Sequence, residues 1–584
     1  MNQKPIAVWT AQSAVSAERY AARELAKYVE LAWGKEYLTG EVNGALVVRV
    51  GTAEHLNIKD NAPRDDGFVI RRDGGDIVIA GASPRGTIYG VYQFIERYMG
   101  VRYLTPTVEY IPAKAPLPLP EKIDIWEHPS FAFRGNEWHE VCYNGSDCEI
   151  ADYAAKIANM DSMAMLDEEH GGNIVYPSSH SFERLCSPEV YFDEHPEYFS
   201  EINGVRVKER SQLCLTNPEV FNVVLENLKK TIRAEQAEHP DHTIFAVAQN
   251  DWYNYCQCEK CAAVDAEEGG HAGTLIRFVN AIAEAIEPEF PDVIIDTLAY
   301  NYTRKAPRFV KPRHNVVVRI CTIESCLSHP LRECQKENDA YARRHLVHDD
   351  GIDLLNDDLK EWGKICTHYN CWTYVTNFAH YAAPVPNLWV LADNMRFFAE
   401  NGVTDLRCQG NRESPSGEMG SLRGYLIAKL MWNTERDVDQ ILMEFAAGYY
   451  GMAAGPILAY LRMVNEKGKC CHAGLYDHPW EAPYLDEDYL EKAEKYFRQA
   501  KALADNDEIL WRVNKAYLSV EYVRMTRNFV NQTRQEATVS MDAFIEKAMG
   551  FGITHIRELG GIRTPEESMR MGRDSILDSF YGKE

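Results

Sequence analysis

The sequence predicts an α/β protein, a (β/α)8 TIM barrel preceded by a small α/β domain and followed by an α-helical domain. Three observations lead there. A hairpin-and-helix unit fills the first 120 residues, short apolar runs alternate with amphipathic stretches over 121–433, and helical periodicity alone fills 434–584.

In the first unit, AVSAERYAARELAKYVELAWG places apolar residues at helical spacing and ALVVRVGTA reads as a buried strand. DGFVIRRDGGDIVIAGAS alternates apolar and polar residues around a Gly-Gly turn, the mark of a β-hairpin. A helix follows in SPRGTIYGVYQFIERYMG, with Ser83 set to cap it and Gly100 to stop it. The Pro-rich IPAKAPLPLPEK reads as a stiff linker that closes the domain.

Eight strands are expected in the second unit, near 131–138, 162–166, 211–215, 244–249, 293–300, 315–321, 370–375 and 404–408. Helices such as NPEVFNVVLENLKKTIRAEQ and GTLIRFVNAIAEAIE lie between most of them. A doubly wound sheet is the competing architecture, but no Gly-rich phosphate turn follows any of these strands. The barrel is therefore preferred. After Trp432-Asn433, RDVDQILMEFAAGYYG, PILAYLRMVNEKG, DEDYLEKAEKYFRQAKALA and EILWRVNKAYLSVEYVRMTRNFVNQ are all helical in period.

Bulk properties exclude some functions. A net charge of −25 argues against a nucleic-acid or anionic-membrane partner, because phosphate contacts need a surplus of Lys and Arg. No run approaches the ~18 apolar residues of a membrane span. MNQKPIAVWTAQSAVSAERY lacks the basic start and apolar run of a secretory signal. A cytoplasmic location is expected, or a periplasmic or secreted one if a leader has been removed.

Barrel chemistry sits at the C-terminal ends of the strands. Those ends carry Arg134, Glu137 and Trp138 after the first strand and His180 beyond the second. Asn250, Asp251 and Trp252 follow the fourth, Tyr300 the fifth, Glu324 the sixth, Trp372 and Tyr374 lie on the seventh, and Glu413 follows the eighth. Carboxylates interleaved with aromatic faces suit pyranose rings, whose C–H faces stack while their hydroxyls take hydrogen bonds. Glycoside hydrolysis needs one protonated carboxyl for the leaving group and a second group as base, nucleophile or stabiliser.

Cys256, Cys258 and Cys261 form C-x-C-x-x-C directly after the fourth strand. That spacing suits a structural zinc or an iron–sulfur cluster, with Cys214, Cys142 or Cys148 as a fourth ligand. Reduced thiols packing a loop, or a local disulfide, are the alternatives. A catalytic zinc is not expected, since no H-E-x-x-H is present, and catalysis needs no cofactor.

The stretch SPRGTIYGVYQFIERYMGVRYLTP resembles the small domain that precedes the barrel in β-hexosaminidases and α-glucuronidases. HPEYFSEINGVR, QLCLTNPEV and QNDWYNYCQCEKC resemble the bacterial domain-of-unknown-function 4838 family, part of which is glycoside hydrolase family 163, endo-β-N-acetylglucosaminidases of complex N-glycans. The resemblance covers roughly residues 1–430. It implies a carbohydrate substrate and substrate-assisted retention, in which the 2-acetamido oxygen is the nucleophile. Asn250 and Asp251 would be the pair that orients the acetamide and protonates the leaving oxygen, with Glu324 or Glu413 supplying a further carboxylate. Arg134 would grip sugar hydroxyls and His180 would be the active-site histidine. The alternatives are an exo-acting or inverting hydrolase of another sugar such as a uronide, and a carbohydrate-binding protein without catalysis.

Overall fold

The computed structural model describes residues 5–59, 63–113, 119–142, 148–160, 166–172, 174–176, 179–334, 355–415, 418–561 and 563–583. The N-terminal strands are β1 (Ile6–Trp9), β2 (Tyr37–Thr39), β3 (Leu46–Thr52), β4 (Phe68–Asp73), β5 (Asp76–Gly81), β6 (Arg102–Thr105), β7 (Val108–Tyr110) and β8 (Asp124–Glu127). Six of them form a mixed sheet in the order β2-β1-β3-β5-β4-β8, backed by helices Ser16–Trp33 and Pro84–Met99. β4 and β5 are the hairpin around Gly74-Gly75, and Gly74 has the positive φ of 58° that the turn needs. Ser83 Oγ accepts from the Gly86 amide at 3.0 Å, and Gly100 ends the helix at φ 72°. β8 lies beyond residue 120 and still pairs with β4.

The second unit contains β9 (Phe133–Glu137), β10 (Glu201–Ile202), β11 (Val205–Arg206), β12 (Ile244–Ala246), β13 (Ile294–Ala299), β14 (Val316–Cys321), β15 (His368–Tyr374) and β16 (Asp405–Gln409). Six of these make one curled, all-parallel sheet in the order β12-β13-β14-β15-β16-β9. The first strand thus pairs with the last, the circular order of a barrel, and a parallel bridge from Gly135 to Met160 extends the β9 edge. Among the described residues the ring is not closed, so the architecture is a half-barrel rather than the expected eight-stranded one. Two expected strands account for the difference. Residues 162–165 lie outside the described residues. The stretch 211–215 makes one antiparallel bridge, Leu213 to Phe199, because Ser211, Gln212 and Cys214 are drawn into loop and cysteine contacts.

The C-terminal unit is helical, from Val438–Tyr450 to Pro565–Tyr581. One continuous apolar core runs from Ile6 through the sheet to Val523, and Phe68 of β4 stacks on Trp432 at 5.6 Å. A second core gathers Tyr522, Phe529, Met541, Ile553, Ile556 and Met569. It underlies residues 551–561, which lie between two helices closed by capping boxes at Thr533/Glu536 and Thr564/Glu567. No described helix is long and apolar enough to cross a membrane.

Candidate active site

The C-terminal rim of the curled sheet gathers most of the residues singled out from the sequence. Asp251, five residues beyond β12, is exposed, and its Oδ1 accepts from the Tyr300 hydroxyl at 3.0 Å. Burial and the Asp251 charge push the Tyr300 phenol far up, so it stays a donor. His180 sits beside this pair, its ring 6.0 Å from that of Tyr300 and its Nδ1 donating to the Gln249 carbonyl at 2.8 Å. Glu324, 4 % exposed after β14, faces Arg304 Nη1 at 3.4 Å. Tyr253 feels both carboxylates: burial first, then Glu324 and Asp251, raise its phenol.

Across the rim, Trp372 Nε1 donates to Gln409 Oε1 at 2.9 Å, and Gln409 Nε2 donates to Glu558 Oε1 at 3.3 Å. Glu413 Oε2 accepts from the Tyr381 hydroxyl at 2.9 Å, and its carboxylate also takes the Leu559 amide at 3.3 Å. Burial raises the Glu413 carboxyl, against the pull of these donors. Glu558 comes from the C-terminal unit. Burial, then the Glu413 charge and to a lesser degree that of Asp251, push its carboxyl up to about 7, against Arg557. A carboxyl that remains protonated near neutrality within a group of carboxyls is the proton donor that acid–base catalysis needs.

The 551–561 segment is held on the rim through its backbone. Tyr381 N donates to Ile556 O at 2.9 Å, Glu558 N to Phe378 O at 2.8 Å, and Thr554 N to Ser414 Oγ at 2.9 Å. Ile556 is buried beneath it and anchors it with ~1.5–3 kcal/mol of apolar burial. Tyr476, also from the C-terminal unit, lies close enough that Glu558 and Asp251 both raise its phenol, after burial. Glu558, Tyr381 and Tyr476 were not among the residues expected from the sequence. The available signal was GITHIRELGG, a long stretch without helical period between two capped helices, since such connections are often functional.

Several expected residues are placed otherwise. Arg134 is 0 % exposed; its Nε donates to Ala158 O, its Nη1 to Phe131 O and Ala132 O, and its Nη2 pairs with Asp66 at 3.0 Å. Its guanidinium thus joins the sheet to the N-terminal domain and, being fully buried, does not reach a sugar. Asn250 is equally committed, with Oδ1 accepting from the Glu183 amide and Nδ2 donating to Ser211 O, both at 3.0 Å. It shapes the loop that carries Asp251 and does not present its amide to an acetamide. Glu137 is buried and ion-paired to Arg407 at 2.8 Å and Arg412 at 3.4 Å. Trp138 is core, 1 % exposed. Trp252 lies under Arg210, 5.4 Å from its ring centroid. Trp372 and Tyr374 stack on each other at 5.9 Å, and Arg407 covers Trp372 at 3.8 Å, which leaves less of that indole for a sugar.

Four buried cysteines gather behind the Asp251 loop: the ligand atoms of Cys214, Cys256, Cys258 and Cys261 lie within 4.8 Å of one another. Cys214 Sγ is 3.7 Å from Cys258 Sγ and 3.9 Å from Cys261 Sγ. Sulfurs around a tetrahedral zinc, each ~2.3 Å from it, are about 3.8 Å apart. The donor set fits that ion. Arg206 Nη1 at 3.5 Å and the Glu201 amide at 3.4 Å donate to Cys256 Sγ, as a thiolate cluster requires.

A cavity of about 320 Å³ lies elsewhere, lined by Tyr92, Glu96, Arg102, Lys156, Lys429 and Glu444 among others, and by none of these rim carboxylates. Its facing acids and bases, with Lys429 paired to Glu96, read as an interface between units.

The family profile described as Domain of unknown function (DUF4838) matches residues 103–462, and that of the Glycosyl hydrolase family 67 N-terminus matches residues 1–94. No curated protein matches the sequence significantly. Among solved structures, a family GH115 4-O-methyl-α-glucuronidase with specificity for decorated arabinogalactans is similar over 94% of this chain and 76% of that one, with a TM-score of 0.58 at 12% identity. A GH138 enzyme targeting pectin rhamnogalacturonan II covers 98% of this chain and 79% of its own, with a TM-score of 0.45 at 10% identity.

Proposed function

This chain belongs to the domain-of-unknown-function 4838 family, and from that membership and the rim chemistry we propose that it is a glycoside hydrolase. The observation that carries the reading is Glu558: a carboxyl pushed up to about 7 by burial and by Glu413, held on the rim by Gln409 and close enough to Asp251 to feel its charge. In this reading Glu558 is the general acid that protonates the departing glycosidic oxygen, and Asp251 acts on the sugar ring.

For the substrate we propose an N-acetylhexosamine-containing glycan cleaved with retention, the acetamide oxygen closing on the anomeric carbon. The Asp251 carboxylate, oriented by the Tyr300 hydroxyl that donates to it, is an acceptor for the acetamide N–H. Asp251 takes the orienting role, because the Asn250 amide is already bonded to backbone. Water then opens the oxazoline, with Glu558 as the base. A second reading, hydrolysis of a uronide, is supported by the match of residues 1–94 to the family 67 N-terminus and by the likeness to a glucuronidase. The four-cysteine cluster is read as a structural zinc site that stiffens the Asp251 loop and takes no part in the chemistry.

The test is hydrolysis of an aryl β-N-acetylglucosaminide, aryl glucuronides and a fluorescent complex N-glycan by wild type, Asp251→Asn and Glu558→Gln. Cleavage of N-acetylhexosaminides alone, lost in Asp251→Asn on both substrates and in Glu558→Gln on the N-glycan, supports the first reading. Cleavage of glucuronides supports the second. Wild-type rates in Glu558→Gln would sink the assignment of the acid.

A further inference from the structure

A second cluster of metal-binding type lies away from the C-x-C-x-x-C motif. Cys326, His329, Cys334 and His472 bring their ligand atoms within 4.8 Å of one another. The first three form C-x-x-H-x-x-x-x-C on the loop after β14, and His472 comes from the C-terminal unit. Cys326 Sγ lies 3.4 Å from His329 Nδ1, and Cys334 Sγ lies 3.5 Å from His472 Nδ1. Zinc bonds of ~2.3 Å to sulfur and ~2.0–2.1 Å to nitrogen at the tetrahedral angle place such pairs about 3.5 Å apart.

The surroundings orient the donors. His329 Nε2 is 3.0 Å from the Lys469 carbonyl, which only accepts, so Nε2 carries a hydrogen and Nδ1 is the nitrogen turned toward the sulfurs. The Ser328 amide donates to Cys326 Sγ at 3.4 Å. Two imidazoles in the same sphere distinguish this arrangement from a cysteine pair set for a disulfide, which has no use for them.

We propose that Cys326, His329, Cys334 and His472 form a Cys2His2 site for a structural divalent zinc that clamps the C-terminal unit to the rim. The two partners already run together there: Leu327 N donates to Ala473 O at 2.8 Å and Ser328 Oγ to Cys471 O at 2.5 Å. Glu324 lies two residues before Cys326, so the clamp fixes the loop that presents this carboxylate. All four positions are closed by protein ligands, which makes the ion structural rather than catalytic. Binding is accompanied by loss of the two thiol protons to solvent, and no electron is transferred.

The test uses the full-length protein purified with zinc and without chelator. Metal content is measured by plasma mass spectrometry for wild type and for the His329→Ala/His472→Ala double variant, and wild type is examined by zinc K-edge absorption. The variant should hold one zinc fewer per chain, and the wild-type spectrum should contain an imidazole nitrogen shell. That shell can arise from this site but not from the four cysteines near Asp251, so the two sites succeed or fail separately. Should the double variant fail to fold, the wild-type spectrum still decides. Equal zinc in both proteins, an all-sulfur shell, or a Cys326–Cys334 disulfide in freshly purified protein would overturn the proposal.

Discussion

At the scale of the residue, Glu558 governs the pH behaviour. As general acid it must be protonated, so kcat/KM should fall as pH rises through about 7, and this limb should disappear in Glu558→Gln. On substrates with poor leaving groups the variant should lose ~10²–10⁴-fold in rate, and far less on aryl glycosides whose phenolate departs unaided. Stability runs with the same sign. The folded protein keeps a proton on Glu558 that the unfolded chain gives up near pH 4–5, so this group costs stability as pH rises from there to about 7. Melting temperatures at pH 8 should therefore be higher for Glu558→Gln than for wild type. Arg134 behaves differently. Burial opposes the charge of Asp66, yet Arg134 and Arg85 together hold its carboxyl below the usual range, contributing stability above pH ~4 that is lost as pH falls through that depressed value. Arg134→Met should lower stability by ~3–5 kcal/mol, since it takes from a buried carboxylate one of its two arginine partners, while KM for any substrate that still binds is unchanged; denaturant unfolding and steady-state kinetics check the two halves.

At the scale of the element, Gly410 shows how closely the rim is fitted. It follows the last residue of β16, and a Cβ there would lie 2.6 Å from Trp138 Nε1. Gly410→Ala should cost ~1–3 kcal/mol in overpacking and displace Gln409, which bridges Trp372 and Glu558; a fall in melting temperature together with kcat would be the signature. Elements of this kind were partly legible in the sequence. The apolar runs that became β13 and β14 are continuous enough to read as buried parallel strands. The run at 211–215 reads the same way but spends its backbone and Cys214 on loop contacts, and period alone cannot distinguish these outcomes. The site was legible where it sits on strand ends, as with Asp251 and Tyr300. Glu558 was not, because nothing local reveals that residues 551–561 fold back onto a sheet that ends about 150 residues earlier. Likewise Arg134 and Asn250 carry the right chemistry at the right positions, and only long-range bonds, to Asp66 in one case and Ser211 in the other, spend it elsewhere.

At the scale of the whole molecule, the three units are fastened to each other by side chains that the chemistry does not use. Arg134 ties the sheet to the N-terminal domain, Lys429 pairs with Glu96 in the same region, and the rim loop of Cys326 meets the C-terminal unit at Ala473. Stripping zinc with a strong chelator should therefore lower the melting temperature and loosen Asp251 and Glu324 together; hydrogen exchange over residues 250–261 and 322–334 would register it, and unchanged protection would speak against both metal assignments. The position of Glu558 also has a temporal consequence. At ~5–20 residues per second a ribosome needs roughly 7–30 seconds to pass from the end of β16 to Glu558, so Asp251 and Glu413 are made well before their proton donor. A nascent chain that has passed Glu413 and not yet reached Glu558 would thus lack its proton donor, and catalysis would switch on only once residues 551–561 are made and docked on the rim.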